Sequence, residues 1–209
     1  MKHTWMAAAL VVLAASVAVA QGGKPASPAG VAATQVSGKY VAGANGGPQY
    51  QGGKWVEISY GRPIKRGRDL FGSGATYGKE LTAGSGIWRA GANQTTTLTS
   101  EVPLVIGGKT LAAGTEYYLL IELKQNAWTL IVTTQTSQKK YDPANKADLW
   151  GSYNYKPDHD VVRVPMALAT GPMSIDELTW AFTDVTAEGG TITLMWDKHV
   201  ASVPFKVAN

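Results

Sequence analysis

Four arginines, Arg62, Arg68, Arg89 and Arg163, stand out in this 209-residue chain, the first three directly beside glycine or an aromatic residue. A guanidinium presents a planar fork of five donors that suits carboxylate or phosphate, and it also stacks on aromatic rings. With Asn93, and with Tyr153 and Tyr155 as rings that can lie on a sugar face, they form a candidate ligand-binding set. Its natural ligand would be a small anion, a carbohydrate or a partner protein. A structural reading competes with this one. Glycine-rich loops carry many backbone carbonyls that need donors, and Asp69, Asp158 and Asp160 are available as ion-pair partners. The abundance of such acceptors weighs toward the structural reading, and the alternating tyrosines could equally form one face of a strand.

A second set carries acid–base chemistry. Asp158, His159 and Asp160 are contiguous, and with Glu116 they could supply the general acid and base of a hydrolase or isomerase acting on sugar-like substrates. His159 and His199 are the only histidines beyond His3. Two histidines with carboxylates could make a facial metal site, but no His-Glu-x-x-His spacing supports one. No Gly-x-Ser-x-Gly nucleophile elbow occurs. Gly107-Gly108-Lys109-Thr110 resembles the end of a phosphate loop, yet Pro103 stands where its first glycine belongs. The sequence therefore calls for no metal, no cofactor and no assembled catalytic set. A non-catalytic binding module is the leading expectation. An enzyme is the alternative, and a structural envelope protein is the third reading.

The elements that must position these residues read as strands. Val56, Ile58 and Tyr60 alternate with Trp55, Glu57 and Ser59, a period of two that puts one set on a buried face. Thr95–Ser100, Thr115–Leu123, Trp128–Thr134, Val161–Leu168, Leu178–Thr183, Thr191–Trp196 and Val200–Val207 follow the same logic. Turn signals separate them at Gly107-Gly108, Lys124–Ala127, Gly171-Pro172, Glu188–Gly190 and Asp197-Lys198. Pro165 inside one run marks an edge strand or a bulge. Trp128, Trp180 and Trp196 sit in apolar strand patterns and are expected in the core. Many short strands with glycine turns predict an all-β fold, an antiparallel β-sandwich or jelly roll with long loops. A closed β-barrel is the alternative. The two long loops are Gly61–Gly91 and Thr136–Pro157.

Composition sets the address. The chain has 24 glycines, no cysteine, 16% charged residues and a formal charge of +4. Lys2 and His3 precede an apolar run from Met6 to Val19, and Ala18-Val19-Ala20 gives a small-x-small cleavage pattern. Residues 1–20 are thus expected to be a cleaved signal peptide, and the protein to be secreted or periplasmic with no membrane span after its removal. Residues 21–53, with nine glycines and three prolines, read as a linker with a possible edge strand at Gln35–Val41. Residues 54–207 read as one β-sandwich domain. Residues 21–89 carry nine basic against three acidic residues, and residues 90–209 carry nine against twelve. A basic first part could attract anions, or the two parts could pair charges after folding. No dense basic stripe suggests nucleic acid, and nothing sets an oligomeric state.

Four ordered blocks carry a resemblance. They are Tyr60-Gly61-Arg62-Pro63 with Lys65–Arg68 and Leu70-Phe71-Gly72; Trp88-Arg89-Ala90-Gly91-Ala92-Asn93; Gly108-Lys109 with Ala113–Tyr117; and Trp150–Tyr155 followed by Asp160–Val164. Over residues 54–207 the chain resembles the exported bacterial family catalogued as domain of unknown function 2911. The resemblance implies an exported domain with no established reaction, so no catalytic residue carries over. The family's second block usually continues with glutamate, and this chain has Gln94. Any role of that carboxylate as general acid or metal ligand is therefore not expected here.

Overall fold

The computed structural model describes residues 25–208, so the expected signal peptide lies outside the described residues. Strands follow in the order β1 (Ala29–Val36), β2 (Lys39–Ala42), β3 (Pro48–Gln51), β4 (Lys54–Gly61), β5 (Ile87–Trp88), β6 (Thr96–Ser100) and β7 (Leu104–Ile106). They continue with β8 (Lys109–Leu111), β9 (Tyr117–Lys124), β10 (Ala127–Thr133), β11 (Asp160–Pro165), β12 (Ala167–Thr186) and β13 (Gly189–Val207). The larger sheet runs β1-β4-β6-β9-β10-β11, with β5 pairing β9 beyond the end of β6. The smaller runs β12-β13-β7-β8, and β2 and β3 form a separate hairpin. Every pairing between these strands is antiparallel and no sheet closes into a barrel, so the fold is an all-β sandwich rather than the barrel alternative.

Alternation explains the layers. β4 turns Val56, Ile58 and Tyr60 inward and leaves Trp55, Glu57 and Ser59 outward. Leu98, Leu119, Ile121 and Leu130 extend that inner face across β6, β9 and β10, where they meet Leu178, Trp180, Leu194, Val203 and Phe205 of β12 and β13 in one buried cluster. Trp128, Trp180 and Trp196 are all core residues, at 2% exposure or less. Pro165 ends β11, an edge strand, where its missing N–H costs no ladder bond.

The expected edge strand falls earlier than Gln35–Val41. β1 pairs with β4 over eight residues, from Ala29 opposite Gly61 to Val36 opposite Lys54. Its glycine and alanines have little β-propensity, but the alternating pattern of Gly30, Ala32 and Val36 is small enough to fit under the sheet. β12 and β13 are longer than their sequence runs suggest, at 20 and 19 residues. The turn signals Gly171-Pro172 and Asp197-Lys198 become irregularities within them. The register shifts between Thr170 and Ile175, and Asp197 adopts φ 51°. Such bulges bend a ribbon without ending it.

The two long loops cover different parts of the sandwich and adjoin where residues 82–87 meet residues 152–155. Residues of Gly61–Gly91 close one end of the core, where Phe71 and Tyr77 join Trp88, Trp128, Trp196 and His199. The loop after β10 covers part of the larger sheet's outer face, and Tyr118, Leu120, Ile131 and Leu149 are buried there outside the main core.

Candidate functional site

The outer face of the larger sheet holds a cleft of about 410 Å³, within the range of about 300–1,000 Å³ typical of small-molecule sites. Its floor follows from strand register. Val31 lies opposite Ser59, Ser59 opposite Thr97 and Thr97 opposite Tyr118. These four positions alternate with inward-facing neighbours, so they form one outward row across β1, β4, β6 and β9. Asn93–Thr95 make one wall and Ser137–Lys139 the other.

Two close backbone approaches place the first wall. A Cβ at Gly61 would fall 2.0 Å from the Ala92 carbonyl oxygen, and the Ala92 N–H donates to the Gly61 carbonyl at 3.2 Å. Only glycine lets β4 and the Trp88–Asn93 block meet this closely. The Thr95 hydroxyl then donates to the Gly151 carbonyl at 2.9 Å, tying that wall to the loop that forms the other.

The electrostatic centre of the cleft is Glu116. The Tyr118 hydroxyl donates to its carboxylate, and Lys139 Nζ approaches it at 3.3 Å. Burial, and then the hydrogen bond to Glu116, push the Tyr118 phenol up to about 12. The phenol therefore stays protonated, and Glu116 keeps its remaining lone pairs for donors arriving from the cleft.

The four arginines lie elsewhere, and none lines this cleft. Arg62 pairs with Glu177 on β12. Arg68 donates to the carbonyls of Lys65 at 3.0 Å and Ile64 at 2.9 Å, and lies 3.7 Å from Glu80. Arg89 donates to the Asn93 carbonyl at 2.7 Å, packs against Gly151 and sits 6.0 Å from the Tyr153 ring centre. Arg163 donates to Tyr155 Oη and Asp160 Oδ2, both at 2.9 Å, and to Glu122 Oε2 at 2.8 Å. Two local groupings result. Tyr155, Asp160, Arg163 and Glu122 form one network that joins the edge strand β11 to β9, while Arg89, Asn93 and Tyr153 form another. Asn93 borders the cleft, and its side-chain amide donates to the Ser27 carbonyl at 3.3 Å. Tyr153 is exposed, and it borders a separate hollow with Tyr155.

Of the acid–base set, Glu116 alone lines the cleft. Asp160 is engaged by Arg163 and by the Tyr155 hydroxyl; burial, and then the hydrogen bond to Asp160, raise the Tyr155 phenol, with Arg163 opposing. Asp158 and His159 are exposed in a short 3-10 turn, where the His159 carbonyl accepts from Thr133 and Thr134. His199 is remote from His159. Its ring lies 4.1 Å from that of Phe71 and 5.4 Å from that of Trp128, between ring centres. Trp128 and Thr133 mark opposite ends of β10, roughly 16 Å apart at strand rise. Among the described residues, no group of three His, Asp or Glu side chains is placed to hold a metal.

Ser59, Thr97, Tyr118 and Lys139 line the cleft and belong to none of the sequence motifs described above. Ser59 and Thr97 carry a signal in the hydroxyl-bearing outward positions of β4 and β6, whereas Tyr118 on β9 and Lys139 in the loop after β10 join them only through the fold.

The family model described as protein of unknown function (DUF2911) matches residues 47–205. Neither the curated proteins nor the solved structures give a match to this chain.

Proposed function

We propose that this chain, which belongs to the DUF2911 family, is an exported, non-catalytic binding module that takes a small hydroxylated ligand of the carbohydrate kind. The observation that carries this reading is the lining of the cleft. Ser59, Thr97 and Ser137 supply hydroxyls, Asn93 and Gln94 supply amides, and Glu116 supplies one carboxylate. A sugar ring presents donors and acceptors together, which such a set can satisfy from both sides. An anion would need free cationic donors. The cleft has Lys139 alone, already beside Glu116, while each of the four arginines is engaged by protein acceptors. Glycoside hydrolysis draws on two carboxylates flanking the bond. The single carboxylate here favours binding over turnover. The signal-like N-terminal sequence supports export.

Thermal unfolding of the exported chain with neutral mono- and disaccharides, uronic acids and inorganic phosphate tests the reading. Neutral sugars should raise the melting temperature, and Glu116→Ala or Thr97→Val should remove the shift. Stabilisation by the anions alone, or a shift unchanged in both variants, would overturn it.

A further inference from the structure

The exposed face that floors the cleft does not stop there. Along β1 and β4 the outward positions continue through Ala33 opposite Glu57 to Gln35 opposite Trp55, and β6 adds Thr99 opposite Glu57. This strip ends at a second hollow of about 510 Å³, between the β2–β3 hairpin and the turn that joins β12 to β13. Gln35, Lys39, Tyr40, Tyr50 and Trp55 line it.

Two of the rings in this hollow, Tyr40 and Trp55, are exposed, and the tyrosine pair is held in place. Tyr40 is 74% exposed and Trp55 46%. Tyr40 meets Tyr50 edge-on with centres 5.1 Å apart. The Gly38 N–H donates to Tyr50 Oη at 3.1 Å, and a Cβ at Gly38 or Gly53 would fall 2.3 or 2.6 Å from the Tyr50 ring. Two glycines therefore clasp Tyr50, and Tyr50 in turn supports Tyr40. Rings fixed before a ligand arrives lose little conformational freedom on binding. Their faces offer apolar surface to the C–H side of a pyranose, and Gln35 and Lys39 stand beside them as partners for its hydroxyls.

We infer that this hollow is a second sugar subsite, and that the ligand is an oligosaccharide chain lying along β4 from the cleft to the hairpin. The inference rests on the carbohydrate reading of the cleft and extends it from a single sugar to a chain. Ser59 to Trp55 spans roughly 13 Å at strand rise, longer than one pyranose ring. The strip between them is hydroxyl- and carboxylate-bearing through Thr97, Thr99 and Glu57, with Val31 and Ala33 as its aliphatics. That suits a glycan better than the desolvated apolar centre of a protein interface.

Calorimetric titration of the exported chain with glucose and N-acetylglucosamine oligomers of one to six units, in α-1,4- and β-1,4-linked series, tests this. The dissociation constant should fall about tenfold or more with length in at least one series, as a second subsite is engaged. Trp55→Ala and Tyr40→Ala should abolish that gain while leaving monosaccharide binding as in the wild type. Length-independent affinity, or a gain that survives both exposed-ring substitutions, overturns the second subsite and leaves the cleft reading standing. Failure of every sugar at every length overturns the cleft reading, and the second subsite falls with it.

Discussion

The indoles of Trp88 and Trp196 stack across the two sheets, with ring centres 5.9 Å apart and planes 12° from parallel. Trp88 belongs to β5 of the larger sheet and Trp196 to β13 of the smaller. Both are nearly inaccessible, at 1% and 2%. With no disulfide to help, this contact and the rings around it hold one end of the sandwich closed. Trp88→Ala or Trp196→Ala should each cost about 3–5 kcal/mol, measured by urea unfolding. Losses below about 1 kcal/mol would show that the stack is not part of the stabilising core.

His199 makes stability depend on pH. Its ring lies among Phe71 and Trp128, and burial lowers its pKa from the ordinary 6.5, with Asp197 opposing in part. The unfolded chain therefore takes up the proton first. Stability is fully present above pH 6.5 and falls below it, by at most about 1.4 kcal/mol per pH unit. His199→Phe should flatten the urea midpoint between pH 5 and 7. An unchanged slope would place the titration elsewhere.

Gly61 and Gly47 form a matched pair of test sites. Gly61→Ala drives a methyl into the Ala92 carbonyl and should cost about 1–3 kcal/mol while displacing the Asn93–Thr95 wall. Gly47→Ala meets nothing within 4 Å and should leave the melting temperature unchanged. Equal effects would remove the close approach as the reason for glycine.

Tyr118 should titrate late. Spectrophotometric titration should show a phenol with a pKa about 12 that disappears in Tyr118→Phe. Glu116→Gln should bring it only partway toward 10, because burial is the larger cause. Since the folded value exceeds the unfolded one, this phenol's contribution to stability is lost as pH rises from 10 through 12.

The arginines should separate by their partners. Arg163→Met leaves the nearly buried Asp160 without its cation and should cost about 1–3 kcal/mol. Arg68→Met acts at a half-exposed pair with Glu80 and should cost under about 1 kcal/mol. Melting temperatures of the two variants give the comparison, and a larger drop for Arg68→Met would reverse this assignment.

The strands that announce themselves in the sequence are those whose two faces differ in chemistry, as in Val56–Ile58–Tyr60 against Trp55–Glu57–Ser59. β1 was not legible at its true position because glycine and alanine on a buried face give no hydrophobic period. Asp197 reads as a turn residue since its αL conformation is a local property, whereas the pairing of β13 on both sides of it is set by the whole sheet. Of the residues that line the cleft, Asn93 stands in the sequence as a ligand-binding candidate and Glu116 as an acid–base one, whereas Gln94 stands there only as the loss of a carboxylate. Ser59, Thr97 and Tyr118 were not legible, because their convergence depends on the register of four strands distant in sequence. The arginine partners were legible in kind, as carbonyls and carboxylates, but Glu177 and Glu122 were not identifiable from sequence neighbours.

Among the described residues β13 comes last in chain order, and it carries Ile192, Leu194, Trp196, Val203 and Phe205 into the interior. Its end also pairs with β7 through Phe205 and Ile106. A nascent chain grows from its N-terminus, so the part of the larger sheet's apolar side that β13 covers stays wet until translation has delivered that strand. Premature termination near Met195 would accordingly leave a sticky, half-covered sheet for proteases and chaperones.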